Sequence, residues 1–270
     1  NPTTCRRQRQ MCIRDSPRCA LYHCYMNEPK IIHAISGPRN ISTALMYSFA
    51  QRPNCVVIDE PFYASFLKRT GLKHPGREET LNSYPNSPGV AIERIHEFLC
   101  SSGTQEIYVK NMAQHMIDVP WQWASNAVHI FWIRHPRKVI RSFAKVLPDL
   151  TISDIGIVEQ IDQWRSIQNL PGRKIIVDSD EMLSAPDKTF PSICDALGIP
   201  FYPEMLSWPR GEKVYDGTWW PHWYSNVHKT AAFGKGTELG PSLSPKYSDI
   251  EIKAVPFYNE LYRDRIIFKR

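Results

Sequence analysis

Long apolar runs are missing from this sequence. None of its 270 residues falls in a segment approaching the ~20 consecutive apolar residues of a bilayer-spanning helix. From Met26 onward no charged stretch leads into an apolar run of the secretory kind. A membrane span is not expected, and the reading is of a soluble, cytoplasmic protein. Cysteines at metal-binding or disulfide-framework spacing are missing too. Of the seven, four (Cys5, Cys12, Cys19 and Cys24) fall in the first 25 residues. That leaves Cys55, Cys100 and Cys194, an odd set that suits reduced thiols and holds no metal.

Acidic residues are scarce at the start. Arg6, Arg7, Arg9, Arg14 and Arg18 stand there beside Asp15 alone, with no apolar periodicity. Composition by itself would make this a basic arm for nucleic acid. The codons of a transposase adapter used in sequencing libraries, however, spell Arg6 to Asp15 in order, and its flanking bases can complete Cys5 and Ser16. Residues 1 to 25 are therefore read as a non-native, disordered leader, with the native chain beginning at Met26. Without them the formal charge of +6 falls by four to +2, and the nucleic-acid reading loses its support. Residues 26 to 270 suffice for one domain with one core, with no internal repeat.

Apolar runs of strand length alternate with segments of helical period, the pattern of a parallel sheet covered by helices. Strands are expected at 30–36, 55–59, 106–111, 128–134 and 174–178. Helices are expected at 41–51, 88–102, 137–147, 154–170 and 189–199. Between Pro61 and Pro88 lies a helix fragment with a long excursion, of the kind that often forms a lid or binding loop. Everything past Pro200, with WWPHWY at 219–224 and FGKG at 233–236, reads as a closing flap.

SGPRNIST, residues 36 to 43, sits where the first strand hands over to the first helix. Free backbone N–H groups and the helix dipole favour an anion there. Gly37 permits the turn, Arg39 brings a guanidinium, and Ser42 and Thr43 bring hydroxyls. The second Gly and the Lys of an ATP loop, GxxxxGK[ST], are both missing. A second anion site is drawn by Arg134, ending the fourth strand, and Ser142, two turns into the next helix. Two sites on neighbouring strands imply a ligand phosphorylated at both ends.

Together these motifs resemble the sulfotransferase family. Its first-strand loop of the type P-[KR]-x-x-[ST]-[ST] is matched by Pro38, Arg39, Ser42 and Thr43, which implies contact of Gly37, Pro38, Arg39, Asn40, Ser42 and Thr43 with a 5'-phosphosulfate. Its R-x-P-x(5)-S motif is matched by Arg134, Pro136 and Ser142, which implies contact with a 3'-phosphate. The match is closest to a subgroup with SGPRN, DEP, Lys110-Asn111-Met112-Ala113 and a late W-x-x-x-W-Y. The resemblance implies a single-domain, three-layer α/β/α sandwich of the P-loop NTPase-like sulfotransferase fold. It also implies the donor 3'-phosphoadenosine 5'-phosphosulfate, with no metal, and a small-molecule hydroxyl or amine acceptor. Other cytosolic sulfotransferases have Lys where Arg39 stands and an aromatic where Ala44 stands, so adenine stacking must come from elsewhere.

In-line attack on sulfur asks mainly for positioning and for stabilisation of the leaving charge. Arg39 and the amides of the first helix suit that task. The acceptor's proton needs a base, for which Glu60 of the DEP element is the first choice and His115 the second. Each also has a plain structural reading: a carboxylate paired with Arg39 or capping a helix, and a buried, satisfied histidine. The tryptophans at 219, 220 and 223 and Tyr224 either line an acceptor pocket or pack the flap against the core. CVVIDE also resembles the magnesium-holding strand of P-loop ATPases, which keeps a nucleotide kinase or hydrolase open as an alternative, beside a non-catalytic nucleotide-binding protein. Oligomeric state leaves no mark in the sequence.

Overall fold

The computed structural model describes residues 29–268. The leader at 1–25 and the start at Met26 lie outside the described residues. Five strands form the sheet: β1 (Lys30–Ser36), β2 (Cys55–Asp59), β3 (Glu106–Met112), β4 (Val128–Ile133) and β5 (Lys174–Asp178). All pairings are parallel, in the order β2-β3-β1-β4-β5. Every expected strand is present, to within a residue at its ends.

The period of two along β1 and β4 divides the core. Ile32, Ala34, Ile130 and Trp132 pack on one face against α1 (Ser42–Phe49) and the later helix Pro186–Leu197. Ile35, Phe131 and Ile133 pack on the other against the helices Pro136–Phe143 and Ile157–Ser166. Toward the β2 edge, Ile107 and Val109 of β3 carry the helix Pro88–Ser102 through Ala91, Ile95 and Leu99. The result is three layers. In chain order the helices are α1, α2 (Tyr63–Thr70), α3 (Arg77–Ser83), α4 (Pro88–Ser102), α5 (Pro136–Phe143), α6 (Ile157–Ser166), α7 (Ser179–Ser184), α8 (Pro186–Leu197), α9 (Trp220–Trp223) and α10 (Pro245–Arg263).

The expectation of a flap for everything past Pro200 is corrected by α10. This 19-residue helix carries Pro245 in its first turn and Pro256 inside, and the two prolines conceal its period. Its Ala254, Tyr258 and Leu261 are nonetheless spaced by four and three and buried on the α5–α6 layer. From 207 to 240 the chain is irregular apart from short helical turns and the isolated bridge Ser207–Ala232, as a flap should be. Among the described residues no helix is long and apolar enough to cross a membrane.

A buried polar chain crosses the sheet centre. His129 Nε2 lies 3.0 Å from the Ala124 carbonyl and must donate to it. Its Nδ1 therefore accepts from His33 Nδ1 at 3.2 Å, and His33 Nε2 accepts from Asn111 Nδ2 at 2.9 Å. Both imidazoles are neutral in this arrangement. Burial pushes both down, His129 to about 4 and His33 further aided by its neighbour His129. A histidine with a lowered folded pKa stabilises the fold above its unfolded value of about 6.5, and the benefit is lost as pH falls toward the folded value. Between pH 7 and 5 each should cost about 2 kcal/mol, read as a falling urea midpoint. A midpoint that stays level over that window would contradict the neutral pair.

Candidate active site

Parallel strands β3 and β4 flank β1, and the chain leaves β1 toward β2 while β4 leads on to β5. That reversal opens a crevice at the carboxyl end of β1, where ligands bind in such sheets. Residues 37–41 occupy it. At Gly37 an added Cβ would sit 2.5 Å from the Ile155 carbonyl oxygen, so only glycine fits. Arg39 and Ile41 take left-handed backbone angles, φ 58° and 52°, costing roughly 1–2 kcal/mol each. Such strain is held where the surroundings fix it. Here Asn40 does so, its Nδ2 donating to the Trp132 carbonyl of β4 and its Oδ1 accepting from Ser179 Oγ of α7. Asn40 thus braces the loop from behind. Asp178 caps α7 in turn, accepting from the amides of Asp180 and Glu181 at 2.9 Å.

The SGPRNIST and RHPRKVIRS segments meet. Arg39 Nε donates to Ser142 Oγ at 3.0 Å, and Arg134 Nη1 donates to the Arg39 carbonyl at 3.0 Å. Arg134 leans on Asp180, 3.3 Å away, which also meets Lys138 at 3.1 Å. Arg39 has no carboxylate within 4 Å among the described residues. Burial and the nearby Arg134 charge both push its guanidinium down. Helix α1 begins without a side-chain cap or an acid in its first turn, and the hydroxyls of Ser42 and Thr43 make no side-chain hydrogen bond among the described residues. Half-buried Pro38 completes the turn. A guanidinium without a carboxylate, spare hydroxyls and an uncapped helix start fit a ligand with two phosphate-like groups. The Gly-containing segment after Phe233 lies along α5, its carbonyls at 237, 239 and 240 taken by Lys138, Arg141 and Arg137.

A second cluster stands two strands away, on the order of 10 Å across the carboxyl edge. The register sets Asp59 of β2 opposite Lys110 of β3. Lys110, 1 % exposed, donates to Asp59 Oδ1 at 2.8 Å, to Glu60 Oε1 at 2.5 Å and to the Tyr224 hydroxyl at 2.7 Å. The Tyr224 hydroxyl donates to Asp59 and accepts from Trp219 Nε1 at 3.0 Å. Glu60 Oε2 lies 3.3 Å from His115 Nδ1, without the geometry of a hydrogen bond. Glu60 therefore pairs with Lys110 and His115, and Arg39 finds its partner in Ser142. Burial alone would raise the Glu60 carboxyl, but Lys110 and His115 outweigh it and hold it below the ordinary carboxylate range. Asp59 goes the other way, because burial exceeds what Lys110 returns. Glu60 also has a left-handed backbone, φ 44°. His115 is buried and stacked on Tyr63, ring centroids 4.5 Å apart.

The buried pairing of Lys110 with Asp59, Glu60 and Tyr224 is the part of this cluster that the sequence reading did not draw. A lysine inside the apolar run EIYVKN was the available signal, and only the register explains it. Trp219 packs with Tyr63, Phe66, Leu67 and Tyr224, which is the packing reading of the aromatic flap.

This fold and crevice define an α/β protein whose first strand runs into a strained, glycine-started turn ahead of α1. The sequence matches the family model described as "Sulfotransferase domain" over residues 30–265, and the chain belongs to that family. Among solved structures, the sulfotransferase domain from the curacin biosynthetic pathway superposes with a TM-score of 0.53 at 16 % identity, covering 84 % of this chain and 98 % of that one. The sulfotransferase domain from the Synechococcus PCC 7002 olefin synthase superposes with a TM-score of 0.50 at 18 % identity, covering 85 % and 96 %. Both share the fold. Two Arabidopsis thaliana proteins, branched-chain-amino-acid aminotransferase-like proteins 1 and 2, are 34 % and 33 % identical over 87 % and 86 % of this chain. The chain spans only 42 % and 41 % of their lengths.

Proposed function

We propose that the chain transfers a sulfuryl group from 3'-phosphoadenosine 5'-phosphosulfate to a hydroxyl or amine of a small-molecule acceptor. The observation that carries this reading is the Arg39–Ser142–Arg134 constellation, cationic and without a carboxylate on Arg39, at the start of α1. The donor supplies an activated sulfur carried on a phosphate leaving group. Arg39, the first amides of α1 and the Ser42 and Thr43 hydroxyls hold that phosphate and stabilise its growing charge. Arg134 and Ser142 hold the second phosphate. The acceptor oxygen or nitrogen bonds to sulfur as the bond from sulfur to the phosphate oxygen breaks, and the acceptor's proton passes to His115. Glu60 serves His115 from behind. Its lowered pKa keeps it ionised and suited to stabilising the imidazolium, and makes it the poorer proton acceptor of the two. This ordering reverses the one drawn from the sequence.

The kinase reading draws less support, because the oxygens of Asp59 and Glu60 already face Lys110, Tyr224, His115 and the Gly217 amide. Arg134→Ala tests the donor assignment. Loss of a charged hydrogen bond costs about 1.5–3 kcal/mol, so affinity for adenosine 3',5'-bisphosphate should fall roughly tenfold or more by calorimetry. Unaltered affinity would remove Arg134 from the site.

A further inference from the structure

Beyond the Glu60–His115 edge lies a cavity of about 440 Å³ to which neither motif assigns a role. Its volume is in the range of small-ligand sites. One wall is the face of α2 formed by Ser65, Lys68 and Arg69, and the opposite wall is the start of α4 at Gly89. Ile117 and Asp118, just past His115, close a third side.

Three features give this cavity an anionic occupant. Ser65 is 5 % exposed, and its hydroxyl has no side-chain hydrogen bond among the described residues. Arg69 is met by Asp118, but Lys68 has no carboxylate within 4 Å among the described residues, so the wall keeps one net positive charge. Helix α4, 15 residues long, starts with Pro88, no side-chain cap and no acid in its first turn. The amides of Gly89 and Val90 therefore have no acceptor within the helix, and nothing lies within 4 Å of where a Cβ of Gly89 would stand.

We propose that this cavity binds an anionic group, a carboxylate or phosphate, carried by the acceptor. Anion binding follows from the cavity itself; calling the bound molecule the acceptor rests on the sulfuryl-transfer reading above. The placement suits that role. Ile117 follows His115 by two residues and α2 begins three residues after Glu60, so an anion here anchors its molecule beside the proton-accepting edge and away from the phosphate loop.

The test uses the full chain saturated with adenosine 3',5'-bisphosphate, so that the phosphate loop is filled, and titrates inorganic phosphate at constant ionic strength. Binding is read from the ¹H–¹⁵N resonances of Gly89 and Val90. Saturable shifts are expected, with the dissociation constant raised at least tenfold in the double variant Lys68→Gln/Arg69→Gln while bisphosphate affinity stays the same. Silent resonances, or shifts indifferent to the double variant, would overturn the site even with bisphosphate bound. Phosphate shifts that persist where bisphosphate fails to bind would keep the anion site and sink the transfer reading instead.

Discussion

Arg39→Ala should lower turnover by about 10²–10³-fold, the usual cost of removing one preorganised stabiliser of a leaving charge. Stability should barely change. Arg39 sits on a turn that Asn40 holds to β4 and α7, and among the described residues its side chain makes one bond, to Ser142. Removal of a guanidinium repelled by Arg134 even relieves a burden, since that neighbour helps push it down. The informative split is between rate and affinity. In the proposed transfer Arg39 acts where charge grows, so kcat should carry most of the loss, measured as release of adenosine 3',5'-bisphosphate. A loss confined to donor KM would place Arg39 in ground-state binding only.

Lys110→Met should cost about 3–5 kcal/mol, the penalty for breaking a buried ion pair by removing one partner. Here one ammonium, 1 % exposed, serves two buried carboxylates, so the upper end of that range is expected in a urea titration at pH 7.5. The pH dependence separates this from simple loss of packing. In the wild type, the depressed Glu60 pKa means its pairing stabilises the fold above the unfolded carboxylate value of about 4.3 and is lost as pH falls through the folded value. In the variant, two buried carboxylates lack their cation and accept protons readily. The deficit between variant and wild type should therefore shrink at pH 4.5. A deficit equal at both values would mean that Lys110 matters for its bulk alone.

The sheet was legible because each strand is a short apolar run closed by a polar or turn-forming residue: KIIHAIS before Gly37, CVVID before Glu60, KIIVD before Ser179. Full burial of parallel strands requires such runs. Helix α10 escaped because Pro245 and Pro256 read as breaks, although the first occupies an N-terminal position where proline is tolerated. Helix α7 escaped because six residues hold too little periodicity, and its Asp178 cap looks from sequence like the end of a strand.

The meeting of the two motifs proposed to hold phosphate was equally legible. Fixed spacings in SGPRNIST and RHPRKVIRS fall on neighbouring strands, and Arg39 meets Ser142 across 103 positions. The charged cluster around Glu60 was half visible. DEP and His115 stood out, but Lys110 acquires meaning only when β2 and β3 pair in register, and Tyr224 only when the flap folds back onto the sheet edge 114 positions away. No local pattern carries that information. Sequence offered Arg39 as one partner for Glu60, and burial decided for Lys110, since a carboxylate at 6 % exposure needs a cation at hand.

The central claim is most directly tested by calorimetric titration of the full chain with adenosine 3',5'-bisphosphate, beside ATP with and without magnesium. Tight binding of the bisphosphate that ignores magnesium and weakens in Arg134→Ala is the predicted result. Preference for magnesium-ATP, or no binding of the bisphosphate at all, would contradict it.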